Sequence, residues 1–281
     1  AGGQRFDPAR LHQFPSLSPA SLLSEPLPGG RLSLIDLSFD GALARITLAS
    51  AATRNALDMA GWAALADAVA RVAWSGARAL IVCGTAEGGF CAGSNLRQIA
   101  RLAEHPHERE SFRQAMRAAL EPLAALPIAT LAQIEGDCFG AGVALALACD
   151  IRIAGPRAVL AITPAKLGIT YPQEDVARLV ALVGPGQAAR LLYGAGRVDA
   201  DEAARIGLVE LVADDAAATT HDLACQIIAN APSSVASLKA MVRHGAAGHQ
   251  PAFDHAFDAA FAGADFAEGL AAFAARRPPS F

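Results

Sequence analysis

At 281 residues the chain can form one large domain or two small ones around a sizeable core, and 53% apolar against 18% charged residues excludes disorder over most of it. Sixty-seven residues are alanine and only 6% are aromatic, a composition that suits many closely packed helices. The net charge of −4, with Lys166 and Lys239 the only lysines among 23 basic residues, argues against a nucleic-acid partner.

Residues 1–30, rich in Pro, Ser and Gly, read as a flexible arm with no basic-then-apolar leader. Segments 31–36 and 42–48 are apolar or alternating around Asp40-Gly41, a hairpin signal. Asp58 can cap a helix running to about Trp74, with Trp62, Leu65, Ala66 and Val69 at helical spacing. A buried strand follows at 79–83, then a glycine-rich loop at 85–94 and a helix from about Asn95. A longer helix covers 108–125, and 128–134 returns as a strand. A second glycine-rich loop, 136–142, feeds a helix at 142–149, followed by strands at 151–154 and 159–162. Thereafter the pattern is helical: 174–183, 186–193, 200–206, 216–230, 234–246, 252–262 and 266–276. Asp199 with Glu202 and Asp265 with Glu268 have capping-box spacing. The fold class is therefore α/β, a body of alternating strands and helices with a helical tail.

The apolar run from Cys138 to Cys149 is too short to span a bilayer and reads as a buried helix, so no membrane association is expected. Five cysteines without a CxxC pair point to reduced thiols and a cytoplasmic location. No histidine stands at ligand spacing from a cysteine, so no metal is expected; His105 and His107, flanking Pro106, suit a solvated loop.

The chemistry-bearing feature is a pair of strand–glycine loop–helix units, FCAGSNL at 90–96 and GDCFGAGVAL at 136–145. Small residues at a helix start leave backbone N–H groups free, in the positive end of the helix dipole. Two such loops converging would form an oxyanion hole. Either alone could equally be a tight turn permitting close helix packing.

Together the two strings resemble the crotonase (enoyl-CoA hydratase/isomerase) superfamily, and the resemblance covers about residues 32–281. It is carried further by RNAL at 54–57, CDIRIAG at 149–155, KLGI at 166–169, VDADEAARIGLVE at 198–210 and EGLAAFAARRPPSF at 268–281. The resemblance implies a crotonase-like β-β-α spiral core at 31–215 and a helical region at 216–281 that packs homotrimers, often paired into hexamers. It also implies an acyl-CoA thioester substrate, with no separate cofactor, held as an enolate by two backbone N–H groups. By motif position these donors are Ser94 and Ala141. The CoA adenine is expected near Ala56, Ala92 and Leu96. Arg54, Arg97 and, from a neighbouring subunit, Arg276 or Arg277 are candidates for the CoA phosphates, or else solvated surface charges.

The chain departs from the hydratase pattern at the acid–base pair. Hydratases keep one glutamate three residues beyond the second oxyanion donor, where this chain has Ala144, and another four residues before the KLG glycine, where it has Pro164. Neither side chain can move a proton. The replacement candidates are Glu174 and Asp175 in GITYPQED, against a capping role in a first helical turn. Asp137 and Glu135 lie in the second loop, Asp150 reads as structural, and Tyr171 could donate a hydrogen bond or simply pack. One carboxylate would suit double-bond isomerisation, and other chemistries on the same hole stay open. The alternative is a non-catalytic acyl-CoA-binding paralogue.

Overall fold

A computed structural model describes residues 34–245 and 248–281; the expected arm at 1–30 lies outside them. The chain opens on a hairpin of β1 (Ile35–Asp40) and β2 (Leu43–Leu48). Asp40 pairs with Leu43, so the turn is Gly41-Ala42. β1 runs past the expected end at 36 to Asp40, because the antiparallel register runs straight out of the turn; the expected start at 31 lies outside the described residues. From β2 the main sheet continues in parallel through β3 (Ala79–Gly84), β4 (Ala129–Ile134), β6 (Ile151–Ala154) and β9 (Leu211–Val212).

β3 is buried on both faces, which explains its unbroken apolar run. Leu80 and Val82 face the larger core, with Trp62, Leu65 and Val69 of α1 (Met59–Ala73), Leu120 and Leu123 of α3 (Glu108–Ala125), and α4 (Ala141–Ala148). Ala79 and Ile81 face a second core that includes Leu131, Ile153, and Ala216 and Ala224 of α7 (Ala216–Ile228). The first helix of the expected 216–281 region packs Ala216 and Ala224 into this second core. Every residue of α4 is buried. Its four alanines let it sit between neighbours on all sides.

A smaller sheet combines β5 (Asp137–Phe139), β7 (Val159–Ala161) and β8 (Arg197–Asp199). Single parallel pairings, Cys91 with Cys138 and Leu57 with Ser94, extend it through the first glycine loop to the RNAL segment. This second sheet brings the sequence motifs together.

α2 (Leu96–Glu104) is capped by Asn95, and α5 (Gln173–Gly194) is interrupted at Gly184, so the two helices expected there meet end to end. Asp199 caps α6 (Ala200–Arg205) through the Glu202 amide, as the capping spacing implied. Asp265 does not cap its own helix, α10 (Ala264–Ala275). Its carboxylate accepts instead from the Ser233 amide (3.1 Å) and hydroxyl (2.6 Å) in the first turn of α8 (Pro232–His244). α8, α9 (Pro251–Ala260) and α10 expose Val242, Phe257, Phe261, Leu270 and Phe273. Lys239 of α8 ties this region to the core through Asp150 and the Ile128 carbonyl, both at 2.8 Å. Among the described residues no helix is long and apolar enough to cross a membrane.

Candidate active site

The first loop is built on Asn55. Its buried side-chain amide donates to the Gly89 carbonyl (2.8 Å), while its carbonyl oxygen accepts from the Ser50 amide (2.9 Å). Arg54 and Asn55 both adopt left-handed backbone (φ 52 and 57), a conformation that costs a non-glycine residue energy and that these contacts hold in place. The chain then pairs with the loop. Leu57 N–H donates to Gly93 O (2.8 Å), Asn95 N–H to Leu57 O (2.9 Å) and Ala92 N–H to Arg54 O (2.9 Å). On the other side Cys91 N–H donates to Asp137 O (2.9 Å) and Phe139 N–H to Cys91 O (2.8 Å).

Two glycines set the close approach. Gly93 has φ 99, and a Cβ there would stand 2.6 Å from Phe139 O and 3.3 Å from Ala141 N. Gly140 has φ 50 and ψ −114, and a Cβ there would meet only Thr163 Oγ1 at an ordinary 3.7 Å; its glycine is required by conformation. Beyond these residues, the Ser94 and Ala141 amides donate to no acceptor among the described residues. Ser94 N–H is the outward group of a one-residue pairing, and Ala141 N–H is the first of α4. Gly93, next to Ser94 in the chain, thus brings the first loop up to the start of α4, and both amides are left unused.

A groove of about 690 Å³ runs from Ser94 along α2, and Arg54, Ala56, Ala92, Ser94, Leu96 and Arg97 line it together; Ala141 is not in its lining. Arg101 and Glu104, which the sequence did not single out, line its far end with His105, which the sequence placed in a solvated loop. Asn95 orients the near end by accepting from the Arg97 amide (2.9 Å). Arg54 is ion-paired with Asp137 (2.8 Å). Arg276 and Arg277 are not in the lining: Arg276 ends α10 in left-handed backbone, and Arg277 pairs with Glu268 (2.6 Å). That pair and the Ser280 amide hold the Glu268 carboxyl down at about 2.

Ala144 is fully buried, and Pro164 opens a single 3-10 turn. Asp175 is also fully buried, its oxygens taken by Arg117 (2.7 Å) and Arg178 (3.2 Å). Burial pushes its carboxyl above the ordinary range, while the Arg117 and Arg178 guanidiniums pull the other way. Glu121 completes the cluster, 3.0 Å from Arg117 and 2.6 Å from Arg178. Glu174 is half exposed, 4.0 Å from Arg117. Arg117 escaped sequence reading, since one arginine in an amphipathic helix carries no signal of its own. Tyr171 donates its hydroxyl to the Gly140 carbonyl at 2.9 Å.

Other motif residues are architectural. Asp150 accepts from the Thr130 amide (2.8 Å) and hydroxyl (2.9 Å), as its structural reading implied. Arg152 of CDIRIAG is buried, caps the end of α4 through the Cys149 carbonyl (2.8 Å), and pairs with Glu210 of the GLVE segment.

Residues 38–281 match the family model described as enoyl-CoA hydratase/isomerase. The chain is 31% identical over 214 residues to the mitochondrial methylglutaconyl-CoA hydratase of Rattus norvegicus, covering 73% of this chain and 67% of that one. It is 34% identical over 187 residues to the ethylmalonyl-CoA decarboxylase of Danio rerio, covering 66% and 61%. The crystal structure of enoyl-CoA hydratase from Bacillus anthracis superimposes with a TM-score of 0.83 at 28% identity, over 89% of this chain and 99% of that one. Motifs, fold and relatives agree: the chain is an enzyme of the enoyl-CoA hydratase/isomerase family, within the crotonase superfamily.

Proposed function

We propose that the protein acts on an enoyl-CoA thioester by forming its enolate, with the Ser94 and Ala141 N–H groups as the two donors to the thioester oxygen. The observation that carries this reading is that both amides are unused while Gly93, next to Ser94 in the chain, closely approaches the Ala141 nitrogen. The groove along α2 would take the CoA moiety, with the adenine against Ala56, Ala92 and Leu96. Arg54, now on Asp137, and Arg97 would meet its phosphates. Arg276 or Arg277 would reach a neighbouring subunit's groove in a homotrimer or hexamer. The exposed apolar residues of α8 to α10 support such an assembly.

Of the acid–base candidates, Glu174 fits better than Asp175. Both oxygens of Asp175 are engaged and buried, whereas Glu174 is open to a ligand. The reaction that one carboxylate serves is double-bond isomerisation. Glu174 takes the α proton of a 3-enoyl thioester, and the C–H electron pair moves into the thioester, whose oxygen becomes the oxyanion. The same carboxyl group returns the proton to the γ carbon, leaving the 2-enoyl isomer. One proton is taken and one returned, so no redox partner is called for. Ala144 and Pro164 also favour a second reading, a paralogue that binds acyl-CoA without turnover.

Incubation with 3-enoyl- and 2-enoyl-CoAs, with product analysis, separates these readings. Isomerisation that falls about 10²-fold in Glu174→Gln supports the first. Binding without turnover of either class supports the second. Turnover untouched by Glu174→Gln removes Glu174 from the mechanism.

A further inference from the structure

We propose that Tyr171 is a positioning residue that orients and strengthens the Ala141 oxyanion donor through the Gly140 carbonyl; this rests on the enolate-stabilising reading above. Gly140 C=O and Ala141 N–H are the two ends of one peptide unit. The carbonyl end accepts the Tyr171 hydroxyl (2.9 Å), the Val143 amide (2.9 Å) and, at longer range, the Ala144 amide (3.3 Å), while the N–H end is the unused donor. A hydrogen bond donated to an amide oxygen polarises the unit and makes its N–H a better donor. It also fixes the plane of the peptide, which matters because Gly140 (φ 50, ψ −114) lies where few intrinsic restraints act.

Tyr171 is itself held. Pro172 follows it and restricts its backbone to extended geometry. The Asp175 and Val176 amides both donate to Pro172 O (3.1 and 3.0 Å), and Asp175 is clamped to α3 through Arg117. The buried ion-pair cluster thereby fixes where the phenol can reach. Burial pushes the phenol well above its ordinary range, and the Ala144 amide close to its oxygen only partly offsets this. The proton therefore stays on the oxygen as the donor to Gly140. The tyrosine thus stands at the turn of α4 that carries Ala144, where the family's hydratases have a glutamate instead.

The test is the infrared carbonyl stretch of a bound saturated acyl-CoA, which has no double bond to move, labelled with ¹³C at the thioester carbonyl, together with kinetics. In the unmodified protein the stretch should move to lower frequency than in free acyl-CoA. In Tyr171→Phe that displacement should shrink by about half, with kcat down roughly 10-fold and KM within about twofold. The chain has two tyrosines, and the other, Tyr193, is 82% exposed. Global replacement by 3-fluorotyrosine, a stronger donor of the same shape, should enlarge the displacement without disturbing the fold. An equal displacement in all three proteins would overturn the role of Tyr171 and leave the oxyanion hole standing. No displacement even in the unmodified protein would overturn the hole itself, and the inference with it.

Discussion

Gly93 and Ala141 lie so close that a single methyl group on Gly93 would press to 3.3 Å from the Ala141 nitrogen and 2.6 Å from the Phe139 carbonyl. Gly93→Ala must therefore move the second loop while also straining a backbone at φ 99. We expect a loss of about 10²-fold or more in kcat, the scale of an oxyanion donor displaced, with a stability cost of about 1–3 kcal/mol. Steady-state kinetics and thermal melting of the variant check both.

Asp175 sets the second expectation. Asp175→Asn leaves Arg117 and Arg178 short of their shared buried partner, a change that costs about 3–5 kcal/mol. The double variant Arg117→Met/Asp175→Leu should lose less, because the unpaired Arg117 charge goes as well. Urea unfolding midpoints at neutral pH measure the difference.

Glu268 gives a pH dependence with a definite sign. Its folded carboxyl lies at about 2, below the ordinary 4.5, because Arg277 and the Ser280 amide favour the anion. The pair therefore stabilises the fold above the unfolded value, and that contribution fades as pH falls from 4.5 toward 2. Melting temperatures of the unmodified protein and Glu268→Gln should differ by a constant amount above about pH 5 and converge in acid. A difference that grows in acid would reverse the sign.

Thiol chemistry offers a fourth check. Burial pushes Cys91 and Cys149 up to about 12 and Cys138 up as well, and Cys83 is buried; Cys225 is exposed beside His221. At pH 8 one thiol per chain should react rapidly with an aromatic disulfide, and all five after unfolding. Mapping the label to Cys225 confirms the assignment.

Local signals carried much of this structure. Asp58 does accept from the Gly61 amide (2.9 Å), and α3 spans the expected 108–125. The RNAL and glycine-loop strings become neighbours across one small sheet. What stayed hidden was short or non-local. β5, β8 and β9 are two or three residues long, too short for an alternation to show. Asp265 has the spacing of a capping box, yet a serine 32 positions earlier takes its carboxylate. The Tyr171 contact to Gly140 spans 31 residues, and no pattern in the sequence announces it.

The most direct measurement is exchange of the α proton of a saturated acyl-CoA in D₂O, followed by NMR. Such a substrate has no double bond to move, so exchange reports only enolate formation and reprotonation. We expect protein-dependent deuteration at the α carbon, slowed by Glu174→Gln and about 10²-fold or more weaker in Gly93→Ala. Saturable binding of the acyl-CoA with no α-deuteration, alongside no turnover of either enoyl class, would contradict it.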